Sequence, residues 1–237
     1  MKLLALDTSG PVCGVSVLTD AGTVYECAVQ NRKTHSVNLV PMIDAALDAA
    51  GLSLADLTAL ACVVGPGSFT GVRIGVSTAK GLCHGSGLKC VPVNALEALA
   101  AGCGDFQGLV CPIQDARAGQ VYGAAFTVSG GVPERLLPDT PLKLEDYCAR
   151  LASLGSRFLF TGDGMPVHRE RLAALLGSAA VFAAPQHAFL RPSAVAALAS
   201  AHLADAVDYL SLQPLYLRSP SAERNRRLME AQRRGEV

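Results

Sequence analysis

Leu3-Leu4-Ala5-Leu6-Asp7-Thr8-Ser9 and Leu109-Val110-Cys111-Pro112-Ile113-Gln114-Asp115-Ala116-Arg117 are two versions of one pattern, an apolar strand that ends on an acid. After the first, Cys13, Val15 and Val17 alternate with small residues as a second strand. Asp20-Ala21-Gly22 then turns the chain into a third, Thr23 to Val29. After the second version, Val121 to Val128 reads as a strand and Ser129-Gly130-Gly131 as its turn. The echo continues. The run from Leu60 to Val64 breaks at Gly65-Pro66-Gly67 and enters a helix, Thr70 to Gly85. Phe158-Leu159-Phe160-Thr161-Gly162-Asp163-Gly164 does the same before a helix from Val167 to Leu176. Each half reads strand, strand, strand, helix, strand, helix, and self-similarity on this scale decides the fold.

A meander followed by βα units makes a mixed sheet with helices packed on it. Two such sheets facing each other form a cleft, with Asp7 and Asp115 at matching strand ends and the glycine-rich turns along its walls. This α/β layout resembles the duplicated actin-like ATPase, ribonuclease H-like fold with two mixed-sheet lobes; a chance likeness between two unrelated αβ halves is the competing reading. The lobes are expected at 1–104 and 105–237, with the final helix and strand returning to the first.

Composition narrows the function classes. The chain has 237 residues, half of them hydrophobic and 17% charged, without tryptophan, so its core is aliphatic. Twenty basic residues balance twenty acidic ones, so no global field draws it to nucleic acid or membrane. Low charge with high apolar content points to surface buried against a partner. The N-terminus lacks the pattern of a signal peptide, and no run reaches the ~18 apolar residues of a spanning helix. We therefore expect a cytoplasmic protein. None of the eight cysteines stands two to four residues from another, so no zinc pair forms, and we read them as reduced, buried small hydrophobes.

The helices carry their own signals. Thr34 to Ala50 sets Val37, Val40, Ile43 and Leu47 on one face, with Gly51 at its end. In the helix after Gly67, Gly71, Gly75 and Ala79 form a stripe that lets another backbone approach. That backbone is either the chain's own sheet or another protein. Asn94-Ala95-Leu96-Glu97 reads as a capping box before a helix from Ala95 to Ala101. Pro192 to Ala204 is a helix and Leu212 to Leu217 a last strand.

Two readings stand for the turns. Asp7, Thr8, Ser9, Gly65, Gly67, Ser68, Asp115 and Arg117 could form phosphate or nucleotide turns, since glycine backbones, a helix start and an acid that holds hydrated Mg²⁺ are what phosphoryl transfer uses. Alternatively Asp7 and Asp115 accept backbone N–H groups and fix their turns. No lysine lies beside Asp7. His35 near a helix start is a capping or interface residue. After Pro220 the chain is basic, with Arg224, Arg226, Arg227, Arg233 and Arg234; it reads as a solvated tail, or as a contact to an RNA backbone.

Leu4-Ala5-Leu6-Asp7-Thr8-Ser9, the run Gly65-Pro66-Gly67-Ser68-Phe69-Thr70-Gly71-Val72-Arg73-Ile74-Gly75, Asp115-Ala116-Arg117 and Pro214-Leu215-Tyr216-Leu217-Arg218 together resemble the TsaB (YeaZ) family. The resemblance runs in order along nearly the whole chain. It implies a catalytically inert relative of TsaD, the protein that transfers threonylcarbamoyl to the adenosine beside the anticodon of certain tRNAs. It further implies a direct heterodimer with TsaD through helices of the first lobe, here His35, Val40, Leu47, Gly71, Arg73, Gly75 and Ala79. The ATPase TsaE joins that complex, and TsaC makes the threonylcarbamoyl adenylate. Transfer RNA is reached only indirectly, and the isolated chain could form a homodimer. TsaD-like proteins hold a metal with two histidines four apart; Ala95 and Leu99 fall at those places here, and neither can bind a metal. The expectation is no metal, no catalytic residue, and no cofactor, with ATP or ADP only at the interface with TsaD. An autonomous nucleotide-dependent ATPase or kinase-like enzyme is the alternative.

Overall fold

The computed structural model describes residues 1–218 except 32 and 118; the basic tail lies outside the described residues. The first half runs β1 (Lys2–Asp7), β2 (Cys13–Thr19), β3 (Gly22–Val29), α1 (His35–Ala50), β4 (Ala59–Gly65), α2 (Phe69–Ser86), β5 (Cys90–Asn94) and α3 (Ala95–Ala101). The second repeats that order as β6 (Leu109–Arg117), β7 (Gln120–Ser129), β8 (Val132–Lys143), α4 (Leu144–Ala152), β9 (Phe158–Thr161), α5 (Gly164–Leu176), β10 (Ala180–Phe182) and α6 (Pro192–Ala201). The two five-stranded sheets have the same topology, β3-β2-β1-β4-β5 and β8-β7-β6-β9-β10. In each, the three meander strands pair antiparallel and the last two add in parallel. The expected duplicated α/β architecture is the one observed.

The fifth strand of each sheet was not expected. β5 is broken by Pro92 and β10 has three residues, so neither shows a period. Conversely, Leu212 to Leu217 is not a strand. Pro214 cannot donate to a ladder, and the segment meets β4 through one backbone bond, Leu215 N–H to Val64 O at 2.7 Å.

Three apolar cores hold the molecule. α1 and α2 cover the outer face of the first sheet, packing Leu39, Ile43, Val72 and Val76 on Leu4, Leu6 and Cys62. α4 and α5 cover the outer face of the second, where Tyr147 donates its hydroxyl to Ala124 O at 2.6 Å. Between the sheets lie α3 and α6, each contacting the other half: α3 packs on β6, β7 and β8, and α6 on β1 and β2. Leu3, Val63, Leu96, Val110, Phe126 and Val195 meet there without solvent exposure. Each such side chain stabilises the union by about 1.5–3 kcal/mol, so the lobes are welded through a shared core rather than hinged.

Polar ties cross the same seam. Glu26 on β3 receives the Ser193 amide at 3.0 Å and the Ser193 hydroxyl at 2.7 Å, and pairs with Arg191 at the start of α6. Its carboxylate thereby caps an N-terminus whose own N-cap residue, Arg191, makes no side-chain cap bond. Burial alone would raise the Glu26 carboxyl, but the bonds from Arg191 and Ser193 outweigh it and hold it below the usual range. Asn94 caps α3, accepting the amides of Leu96 and Glu97 at 2.9 and 3.0 Å. The expected reciprocal bond from Glu97 is not made, because that carboxylate reaches Arg135 of β8 at 3.2 Å instead.

Candidate functional site

The ends of β1 and β6, the turn after β4 and the segment 215–218 enclose a cleft of about 570 Å³ between the lobes. Ser9, Gly67, Ser68, Asp115 and Arg117 line it together, as the sequence pattern placed them. Beneath it, Asp7, Ser9, Gln114 and Asp163 surround a hole of about 10 Å³.

The glycines explain how the turn fits. Gly65 and Gly67 have φ of +122° and +158°, values that an L side chain rarely adopts. A Cβ on Gly67 would strike Ser9 O, the carbonyl that accepts the Ser68 amide at 2.7 Å. Ser68 caps α2, its Oγ accepting the Gly71 amide at 3.2 Å.

Not every expected site residue faces the cleft. Thr8 is buried and donates its hydroxyl to Gly71 O at 2.7 Å, tying β1 to α2. Gly65 packs beneath Leu215 O, where a Cβ would stand 2.6 Å away. Neither is available to a ligand.

The two acids have unlike surroundings. Asp7 is 2% exposed; its Oδ1 accepts the Ser9 amide at 2.8 Å. Burial pushes its carboxyl up against the lowering effect of that bond and of nearby His35. Asp115 accepts the Arg117 amide at 3.0 Å, and its side chain is 33% exposed. That turn carries Arg117 to φ +63°, alone in positive φ among the described non-glycine residues. His168 Nε2 stops 3.6 Å from Asp115 Oδ1, beyond hydrogen-bond reach.

Asp163, Gln114 and the segment 215–218 were not anticipated as site residues. Asp163 occupies the second-half counterpart of the Gly65-Pro66-Gly67 turn, a signal that the repeat itself carried. Burial, helped by the charge of Asp115, raises its carboxyl to about 6. Its Oδ1, Gln114 Oε1 and Ser9 Oγ are buried without partners. Among the described residues, the chamber thus presents carboxylates and unpaired acceptors, with Arg117 and Arg218 as its cations. Among the described residues, no cluster of three histidines, cysteines or acids could hold a metal ion, and no helix is long and apolar enough to cross a membrane.

The residues expected to face a partner divide into two sets. Gly71, Gly75, Ala79 and Leu47 are buried in this chain's own lobe. A Cβ on Gly71 would strike Thr8 O, and one on Gly75 would stand 2.5 Å from Thr8 Oγ1. The small-residue stripe therefore receives the end of β1, and the reading of these four as a free surface is corrected. His35 is half-buried, with Nε2 2.9 Å from Gly10 O. Val40 and Arg73 are exposed, and Val37 beside Val40 on α1 is 58% exposed.

Comparison with known proteins follows this geometry. The family model for TsaD, tRNA N6-adenosine threonylcarbamoyltransferase, matches residues 28–225. The tRNA threonylcarbamoyladenosine biosynthesis protein TsaB of Bacillus subtilis (strain 168) is 34% identical over 94% of this chain and 96% of its own. Among solved structures, YeaZ from Pseudomonas aeruginosa superposes with a TM-score of 0.77 at 25% identity, over 91% of this chain and 99% of its own. The Acidaminococcus fermentans (R)-2-hydroxyglutaryl-CoA dehydratase component A matches with a TM-score of 0.50 at 13% identity, covering 86% of this chain and 99% of its own, which shows likeness of fold alone.

Proposed function

The chain belongs to the TsaB family, and from that premise we propose that it is a non-catalytic subunit of tRNA threonylcarbamoyladenosine biosynthesis that binds TsaD directly and supports its transfer reaction. One observation carries the reading. Ala95 and Leu99, at the places where TsaD-like proteins resemble this chain but carry metal-binding histidines, are buried in the core shared by the two sheets. That face of α3 is committed to packing, and aliphatic side chains offer a metal no donor.

The cleft supports the same conclusion. A polyphosphate entering it would meet Arg117 and Arg218, but also the carboxylates of Asp115 and Asp163 and unpaired acceptors, and Asp7 lies sealed below. Unaided nucleotide turnover is poorly served by such a lining, so ATP or ADP belongs at the interface with TsaD. The docking face we assign is the outward side of α1 and α2, where Val37 and Val40 stand exposed one turn apart on α1 and Arg73 is exposed on α2. TsaE joins the complex, TsaC supplies the adenylate, and tRNA is engaged through TsaD.

Sizing chromatography of the chain mixed with TsaD tests this. Co-elution as a heterodimer, lost in Val40→Asp, is expected. Separate elution with TsaD fully active alone would overturn it.

A further inference from the structure

The segment from Leu212 to Arg218 crosses the cleft. It is anchored at one end by Leu212, which is buried in the outer core of the first lobe. Leu215 N–H then binds Val64 O at 2.7 Å, at the end of β4. Tyr216 stacks on Phe69 with ring centroids 4.9 Å apart, and its hydroxyl accepts Arg73 Nε at 2.8 Å. Arg73 itself lies over the Phe69 ring, 3.9 Å from its centroid. Finally Arg218 reaches the second lobe, donating to Ala116 O at 3.3 Å. Four consecutive residues, 215–218, thus form one wall of the chamber.

We infer that Leu212–Arg218 is a displaceable latch across the interlobe cleft, with Arg73 on α2 as its catch. Among the described residues the wall has no ladder: its backbone is held to β4 by one bond, and Leu215 and Tyr216 stay more than a third exposed. Segments with few buried apolar contacts open at low free energy while the core beside them stays closed. The lobes cannot provide such an opening, because they share a continuous core. The chamber it walls is also chemically distinct, since Ser9 and Gln114 in its lining carry buried oxygens without partners. Arg73 sits on the outward side of α2, so a group that draws its guanidinium away from Tyr216 would release the latch from outside.

The latch does not depend on pairing with TsaD and is tested on the isolated full-length chain. Residue-resolved hydrogen exchange would compare wild type with Tyr216→Phe, which keeps the ring, and Tyr216→Ala. Exchanging one hydrogen bond for water shifts an open–closed ratio by roughly 2- to 12-fold. The Leu215 amide is therefore expected to exchange a few-fold faster in Tyr216→Phe and about tenfold or more faster in Tyr216→Ala. The Ser68 and Arg117 amides, on the cleft walls, should quicken with it while those of β1 and β6 hold their rates. Unchanged Leu215 exchange in both variants would overturn the latch. So would a uniform acceleration through β1 and β6, which would make the segment part of the global fold.

Discussion

Asp7 and Asp115 make the same turn on opposite lobes: Oδ1 of each accepts the amide of the residue two positions on, Ser9 at 2.8 Å and Arg117 at 3.0 Å. The turn survived duplication and the surroundings did not. One carboxyl is sealed under the cleft and pushed up by burial, while the other stands at its wall. The two acids make one turn but differ in solvent access.

The stripe on α2 separates two roles by size. Gly71→Ala places a methyl against Thr8 O and is expected to destabilise the chain by about 1–3 kcal/mol or more. Val40→Asp, on an exposed position of α1, should leave stability within about 0.5 kcal/mol yet abolish pairing with TsaD. Urea unfolding and sizing chromatography of both variants check the contrast.

Restoring imidazoles to α3 should cost stability. Ala95→His and Leu99→His each force a polar ring into the shared core, and each is expected to destabilise by about 2–4 kcal/mol. Thermal unfolding with and without added zinc is the check. A zinc-dependent gain in stability would show a latent ligand pair on that face.

Glu26 predicts an acid-sensitive seam. Its folded carboxyl lies below its unfolded value near 4.5, so the stabilisation is present above that value and is lost as pH falls through the folded one. Glu26→Gln should lower stability at pH 7 by on the order of 1 kcal/mol, since the Glu26 side chain is 17% exposed but its partner Arg191 is 46% exposed and screened by solvent. The gap between variant and wild type should narrow as pH falls below 4.5. Melting temperatures across pH 3.5–7.5 test it.

Asp163 predicts the opposite sign. Its folded carboxyl is raised to about 6 from 3.8, so the folded state holds its proton more tightly and stability falls as pH rises between those values. At pH 8 the ionised, partly orphaned carboxylate carries a penalty on the order of 2–3 kcal/mol. Asp163→Asn should therefore stabilise the chain at pH 8 and lose that advantage near pH 4, as read by urea midpoints at the two pH values.

The repeat was legible because strand ends and turns recur at matched places, Asp7 with Asp115 and Gly67 with Gly164. β5 and β10 were not, since Pro92 interrupts one and three residues leave no period in the other. A capping box marks the start of α3 and apolar spacing marks α6, but neither signal says that each helix lies against the other half's sheet. The stripe of Gly71 and Gly75 announced a close approach without saying whose backbone came near; it is Thr8's. Leu212 to Leu217 reads as a strand by its apolar content, and only the three-dimensional position of β4 makes it a crossing segment. Asp163 stood in a quoted turn yet drew no notice, because its burial arises from packing between lobes.

The most direct measurement supplies this chain, purified alone, with threonylcarbamoyl adenylate and a substrate tRNA, and scores the modified adenosine by mass spectrometry. The account predicts none from the chain alone, and modification once TsaD and TsaE are added. Modified adenosine made by the chain without TsaD would contradict it.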